Sequence, residues 1–408
     1  MERGRLPLAG IRVADFTTWA AGPLVGKMLA DHGAEVIKVE SESFPDGLRL
    51  AAPKPLGNDS LNVGGWFNNL NSSKLSIALN MNHPKARDIA LRLIQVCDVV
   101  IDNFAPRVME RWGLTYAELV KIKPDIIVVN EPMQGLDGPH RDYLGFGSTI
   151  QAVAGINYLT GFRHRPPVGI GLNYPDYSAN PYHTTIAVLA ALRYRHKTGK
   201  GQHIEVSQVE STASVLETAI LDYTANGRVQ SRVGNRLPHA APHGAYRCRG
   251  EDRWCAIAVF NDEEWHAFCR VIGNPSWTKE ERFATLLARK ENEDELDRLV
   301  EEWTKERTPE EVMELMQRDG VAAGVVQNAE DMLVRDPQLR AREHYVYLDH
   351  SEAGRTAYDG VPFKLSATPS RPRSAAPLLG EHNDYVYKEL LGMSEEEINE
   401  YLVEGVIA

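Results

Sequence analysis

The 408-residue sequence contains no apolar run approaching the roughly 18 residues of a membrane-spanning helix, so no transmembrane segment is expected. The first five residues carry two arginines, yet no apolar core of a signal peptide follows them. Cysteine is scarce. Cys97, Cys248, Cys255 and Cys269 lack CxxC spacing, which argues against a disulfide scaffold or a zinc site and fits a reduced, cytoplasmic protein. Positive charge is in deficit, with 45 Lys and Arg against 56 Asp and Glu and a net charge of -11. That balance offers no basic face for nucleic acid. No G-x-G-x-x-G follows a strand, so a dinucleotide reading has little support. Internal repeats and low-complexity tracts are also missing.

What remains is an ordinary globular composition, 43% hydrophobic and 25% charged, in a chain long enough for two domains. The N-terminal part alternates strand and helix patterns. Strands are expected over 10–16, 35–40, 76–79, 99–102, 126–129 and 203–206, and helices over 24–30, 83–97, 106–112 and 116–123. Such alternation predicts a doubly wound α/β domain with parallel strands and ligands beyond their carboxyl ends. The loops to watch are then 17–23, 41 onward, 103–106 and 130–138. Residues 46–70, rich in Gly, Pro and Asn, read as a long surface loop. A run over 181–195 reads as a buried helix, and 210–224 as another. From Asn226 the texture changes to short β segments and helices over 263–272, 290–303 and 308–318, a smaller α+β domain to about Asp331. Thr308 with Glu311 forms a capping-box pattern. Residues 343–379 have β character, and Ser394 begins a final capped helix.

The stretch Gly169-Ile170-Gly171-Leu172-Asn173-Tyr174-Pro175-Asp176-Tyr177 stands in front of the 181–195 run. Asp176 is either a helix cap or turn residue, or a reactive carboxylate at the edge of a dry cavity. Tyr174, Tyr177 and Tyr182 are candidates for an acyl pocket or for core. His183, His239 and His243 are candidate acid–base groups or structural hydrogen-bonders. Arg163, His164 and Arg165 suit an anion or a solvated turn. The turn 197–201 is a basic anion site or a solvated hairpin.

Several segments together resemble the family III CoA-transferases of the CaiB/BaiF type. They are Leu8-Ala9-Gly10-Ile11-Arg12-Val13-Ala14-Asp15-Phe16 with Ala21-Gly22-Pro23, and Gly33-Ala34-Glu35-Val36-Ile37-Lys38-Val39-Glu40. Residues 71–79, Asp98-Val99-Val100-Ile101-Asp102-Asn103-Phe104, Asp176 with its Ala- and Leu-rich helix, residues 195–201 and Leu379-Gly380-Glu381-His382 complete the set. The resemblance implies a Rossmann-like large domain built from both chain ends (1–225 and 332–408), a small α+β domain (226–331) and an interlocked homodimer. It makes Asp176 the catalytic group and coenzyme A, as acyl-CoA, the substrate beside a carboxylic acid, with no metal. It places CoA along Trp19, Ala20, Ala21, Lys38, Ser41, Leu79, Asn82, Asn103, Phe104, Arg111 and Trp112. Phe104 and Trp112 are candidates to sandwich the adenine.

The chain departs from the oxalate-pathway members of that family. Ala20 stands where they have glutamine, Ser41 where they have arginine, and Gly147 where they have glutamate. Residues 235–244, holding His239 and His243, replace their glycine-only flap. These departures argue against formyl or oxalyl groups and for a bulkier acid. Two alternatives stay open. A racemase of the same superfamily needs a histidine near Phe146, where none occurs. A non-catalytic subunit of a heteromeric transferase would retain no need for Asp176.

Overall fold

The computed structural model describes residues 6–51, 53–55 and 57–407; the five N-terminal residues of the signal-peptide reading lie outside them. The chain divides into two compact units, one of residues 1–158, 169–230 and 338–408, the other of 159–168 and 231–337. The short segment 159–168 thus belongs with the smaller unit, although the sequence reading left it with the larger.

The larger unit is built on β1 Arg12–Asp15, α1 Ala21–Asp31, β2 Glu35–Glu40, α2 Gly47–Leu50, α3 Gly65–Leu70, β3 Leu75–Ala78, α4 Ala86–Gln95 and β4 Val99–Asp102. It continues through α5 Pro106–Trp112, α6 Tyr116–Ile122, β5 Ile127–Asn130, α7 Gly147–Ala154, α8 Ile156–Leu159, α9 Tyr174–Ser178, α10 Asn180–Thr198, β6 Gln202–Glu205, α11 Gln208–Ala213 and α12 Glu217–Asn226. The six strands form one parallel sheet in the order β3-β2-β1-β4-β5-β6. Both faces are covered, which is why the strands read as nearly unbroken apolar runs. Ala14, Ile37, Val100 and Val128 pack toward α4 and α6, while Val13, Val36, Val99 and Ile127 pack toward α1 and α10. The order reverses between β1 and β4, and a ligand crevice is expected there.

The C-terminal part closes the sheet at its β3 edge. His382 N–H donates to Ser76 O at 2.9 Å, Ala78 N–H donates to Asn383 Oδ1 at 2.9 Å, and Tyr387 OH donates to Ala78 O at 2.7 Å. Tyr387, Val386 and Ile398 are buried against the sheet's core. Strands Tyr345–His350 and Gly354–Asp359 form an antiparallel hairpin within the expected β region. Ser394 caps helix Glu395–Val403 by accepting from Glu397 N–H, as its sequence pattern predicts.

Three readings are corrected. Residues 46–70 are not a plain surface loop: they carry α2 and α3, whose Leu48, Phe67 and Leu70 are buried. Their organiser is Arg49, fully buried and paired with both oxygens of Glu40 at 2.7 and 2.9 Å, with its guanidinium 3.6 Å from the Phe67 ring centre. A buried pair of this geometry fixes a Gly-rich segment that has no periodicity of its own. Second, α10 is buried on one side only. Thr184, Val188 and Ala191 face the sheet, but Ile186 is 64% exposed and Tyr182, Leu189 and Tyr194 are exposed too. Third, the single helices expected over 210–224 and 290–303 each break into two; Asn292 separates Leu286–Glu291 from Glu293–Thr304.

The smaller unit is α+β. A three-stranded antiparallel sheet of His243–Arg247, Trp254–Ala258 and Ala322–Val325 packs its Tyr246, Cys255 and Ile257 with Phe268, Leu296, Val300, Val312 and Met316 from its helices. The Thr308–Glu311 capping box is present in full.

Candidate active site

The crevice lies at the reversal point. Thr17 and Thr18 after β1, Ser41 and Phe44 after β2, Leu79 and Asn82 after β3, and Phe104, Arg111 and Trp112 after β4 line a cleft of about 730 Å³ open to solvent. Of the expected CoA contacts, the cleft brings together Lys38, Ser41, Leu79, Asn82, Phe104, Arg111 and Trp112. Phe104 and Trp112 meet edge to face, with ring centres 5.4 Å apart. Arg111 is exposed and makes no ion pair among the described residues, so its charge is available at the mouth.

Lys38 is different. Its ammonium is buried, ion-paired with Asp46 at 2.8 Å and bonded to Thr17 O at 2.8 Å. It braces the first loop from below. Asn103 braces the same loop from the side, taking Thr18 N–H at 2.9 Å and giving its amide to Thr18 O at 2.8 Å. Trp19 sits between these supports at φ 63°, a left-handed conformation rare for an aromatic residue. Asp46 Oδ1 accepts its N–H at 3.0 Å, and Gly47 makes room for the indole, which a Cβ there would meet at 2.5 Å. Such local strain is held by over-determined surroundings and marks functional loops. Ala20 and Ala21 are buried as the start of α1, and neither they nor Trp19 and Asn103 line the cleft.

From Trp19 a path of side chains leads to Asp176. The Trp19 ring lies edge-on to Phe146 at 5.0 Å, and Phe146 precedes Gly147 at the start of α7. A Cβ on Gly147 would stand 2.5 Å from Asp176 Oδ2 and 2.9 Å from Asn173 Cα. The glycine therefore vacates the volume that the carboxylate occupies. Tyr177 receives a short hydrogen bond from the Trp66 indole of α3, which joins α9 to the rebuilt 46–70 region. Tyr174 and Tyr182 are exposed flanking residues.

Asp176 caps nothing. It lies in the first turn of α9, whose N-cap is Asn173, and α10 begins after Ala179. The residue is 8% exposed, and its carboxylate takes no hydrogen bond among the described residues. Burial pushes its pKa up to about 7. A carboxylate that is largely buried, unpartnered among the described residues and raised toward neutrality is what the capping alternative does not provide.

The sequence reading missed the buried acids behind it. Glu131, directly after β5, is 1% exposed, and burial raises its pKa to about 8, opposed by a Thr184 hydrogen bond and reinforced by the charges of Asp176 and Asp102. Asp102 is raised by burial to about 7, against hydrogen bonds from Phe104 N–H and the Asn130 amide. His203 bonds Asn130 Oδ1 at 2.6 Å, stacks on Tyr116 at 5.2 Å and has a lowered pKa through burial. The available signal was a charged residue immediately beyond an apolar strand.

Other expected residues lie elsewhere. His183 bonds Ser211 Oγ at 2.7 Å. The turn 197–201 ends α10, with Arg195 paired to Asp98 at 2.9 Å. His239 and His243 belong to the smaller unit, where both lie about 6 Å from the Phe260 ring and His243 bonds Asn235 O. Arg163, His164 and Arg165 belong to that unit as well. Among the described residues no group of His, Cys, Asp or Glu gathers as metal ligands, and no helix is long and apolar enough to cross a membrane.

Comparison with known proteins identifies the family. The family model for CoA-transferase family III matches residues 8–383. The chain is 34% identical to succinyl-CoA–D-citramalate CoA-transferase of Chloroflexus aurantiacus over 97% of each chain. It is 33% identical to the beta subunit of succinyl-CoA–L-malate CoA-transferase of the same organism over 98% of each, and 30% identical to a formyl-CoA:oxalate CoA-transferase of Rhodopseudomonas palustris over 98% of this chain and 97% of that one. The crystal structure of a CaiB/BaiF family protein from Brucella suis superposes with a TM-score of 0.86 at 32% identity, covering 95% of this chain and all of the other. A family model matched over residues 8–383, relatives more than 30% identical over nearly the whole length and a superposing CaiB/BaiF structure lead to one assignment: this chain belongs to the family III CoA-transferases.

Proposed function

We propose that the protein moves CoA from a donor acyl-CoA to an acceptor carboxylate through covalent intermediates on Asp176. The observation that carries this reading is the Asp176 carboxylate itself, 8% exposed, without a hydrogen-bond partner among the described residues and packed into the space that Gly147 leaves by having no side chain. Ionised Asp176 attacks the thioester carbonyl carbon; the C–S bond breaks, leaving an acyl-aspartyl anhydride and CoA thiolate. The thiolate attacks Cγ of Asp176, the donor acid departs as its carboxylate, and an aspartyl-CoA thioester remains. The acceptor carboxylate attacks Cγ and expels thiolate, which then attacks the acceptor's acyl carbon and frees Asp176. Thioester is exchanged for thioester, so no external energy source is required.

The cleft between β1 and β4 suits the CoA nucleotide, with Phe104 and Trp112 as aromatic surface and Arg111 as the phosphate cation. An acceptor bulkier than formate or oxalate is proposed from the sequence departures at Ala20, Ser41 and Gly147; the space beside Gly147 is itself taken by Asp176 and Asn173. The succinyl-CoA-dependent relatives make succinyl-CoA the first donor to test. Trapping with hydroxylamine tests the mechanism: succinyl-CoA should leave an Asp176 hydroxamate in the native protein and none in Asp176→Ala. Absence of a trapped species, together with exchange of the α-hydrogen into solvent, would favour the racemase. An acceptor panel of mono- and dicarboxylic acids tests acid size.

The assembly proposed is a dimer of this chain. Support comes from exposed apolar residues on α10 and α12, among them Ile186, Leu189, Ile220 and Leu221. The relative that is a beta subunit supports a second reading, a heteromer with a related chain. Purified protein that transfers CoA alone would exclude a requirement for that partner.

A further inference from the structure

Behind Asp176 lies a buried polar cluster that the reaction just described does not use. Glu131 Oε1 and Asn180 O lie 2.8 and 3.0 Å from the Thr184 hydroxyl oxygen. Gln208 ties the same groups together, giving its amide to Glu131 O at 2.7 Å and accepting from the Asn180 amide at 3.0 Å. Thr212 closes the ring with its hydroxyl on Gln208 O at 2.7 Å. Asn180 and Thr184 form the first turns of α10, which follows α9 and its Asp176 after the single residue Ala179, so this cluster fixes the helix start next to the reacting carboxylate.

The proton count of the cluster is informative. A threonine hydroxyl has one proton. Asn180 O is a carbonyl and only accepts. With Glu131 ionised, Thr184 gives that proton either to Glu131 Oε1 or to Asn180 O, and both contacts become hydrogen bonds only when Glu131 is neutral and donates its own proton to Thr184 Oγ1 while Thr184 donates to Asn180 O. An ionised Glu131 would compete with Asn180 O for that one proton. Its second oxygen, Oε2, is buried without a partner, which an ionised carboxylate tolerates worse than a neutral acid.

The groups facing it agree. Asp176 on α9 and Asp102 on β4 present negative charge. His203 on β6 bonds Asn130 and is held toward its neutral form by burial. His183 on α10 is turned to Ser211, and Glu205 accepts the Leu136 N–H. No Lys or Arg pairs with Glu131 among the described residues.

We infer that Glu131 is a positioning residue that works as a neutral carboxylic acid, clamping the start of α10 behind Asp176, and that its ionisation switches the site off at alkaline pH. This rests on Asp176 being the reacting group. The charge of ionised Asp176 helps hold the proton on Glu131. When Glu131 finally ionises, Thr184 loses one of its two bonds. A second buried negative charge then opposes the incoming acceptor carboxylate and the returning thiolate.

The test is the pH profile of CoA transfer in native protein, Glu131→Gln and Glu131→Ala. Native kcat/KM should fall about tenfold per pH unit beyond a value near 8. Glu131→Gln, whose amide can donate to Thr184 at every pH, should stay within about threefold of native near pH 7.5 and lose the alkaline fall. Glu131→Ala should be reduced at least tenfold throughout the range. An unchanged alkaline limb in Glu131→Gln would overturn the inference, as would loss of activity in Glu131→Gln equal to that of Glu131→Ala. Isotope-edited infrared spectra separate this inference from the reading on which it rests. They should show a protonated glutamic acid at pH 7 that is missing from Glu131→Gln, with its titration moved to lower pH in Asp176→Asn. If that band is absent at pH 7, the inference fails whether or not CoA is transferred.

Discussion

At the scale of single residues, the proposed chemistry turns on a largely buried carboxylate. Asp176 has a folded-state pKa of about 7, above the roughly 3.9 of an unfolded aspartate. The folded protein therefore binds more protons than the unfolded chain between those values. Stability contributed at this residue falls as pH rises from about 4 to about 7, and the penalty is complete above 7. Asp176→Asn removes the penalty along with the nucleophile. It should raise stability above pH 7 by about 1–3 kcal/mol in urea unfolding and lower turnover by at least about a thousandfold. In the native protein kcat/KM should rise with pH through about 7 as Asp176 ionises, and a flat acid side would contradict the assignment. Arg111 acts at a distance from the chemistry. Its replacement by Ala should raise KM for acyl-CoA about tenfold, leave kcat nearly unchanged and weaken the salt dependence of binding.

At the scale of elements, the site is made by close approach. The turn carrying Asn173 and Asp176 lies against the first residue of α7, and only a hydrogen at position 147 fits between them. Gly147→Ala should cut kcat about a hundredfold or more by displacing that turn, while circular dichroism shows the fold intact. A similar fit occurs in α1, where a Cβ on Gly26 would meet Asp15 Oδ2 at 2.5 Å and the Lys74 ammonium at 2.7 Å. How far these elements were legible in the sequence follows from what encodes them. Strands β1, β2, β4 and β5 are buried on both faces, so they announce themselves as apolar runs, and the loops after them follow. Asp176 was singled out by its place between a Gly- and Pro-rich turn and a helix, though its role as cap or reactant stayed open on spacing. Arg49 and the Trp66–Tyr177 bond left no such mark, and Glu131 left only that of an acid next to an apolar strand. Each depends on a partner distant in sequence, and no periodicity records a pair of that kind. The exposed side of α10 was misread for a related reason: an apolar side chain does not say which surface will cover it.

At the scale of the whole molecule, the exposed apolar residues of α10 and α12 bear on assembly. Light scattering should give twice the mass of 45.5 kDa, and Ile186→Asp should weaken association at least tenfold. A protein that runs as a monomer at micromolar concentration would remove the dimer from the proposal. The β3 edge carries a different consequence. Ser76 and Ala78 receive their partners from His382, Asn383 and Tyr387, some three hundred residues later. In the order of synthesis, some three hundred residues must therefore follow β3 before this edge can be covered. Until then the nascent chain presents an unpaired strand, the kind of surface that recruits other strands. Chains that stall or terminate before residue 376 should accumulate as aggregates or chaperone clients, although they already contain Asp176 and all six strands of the sheet.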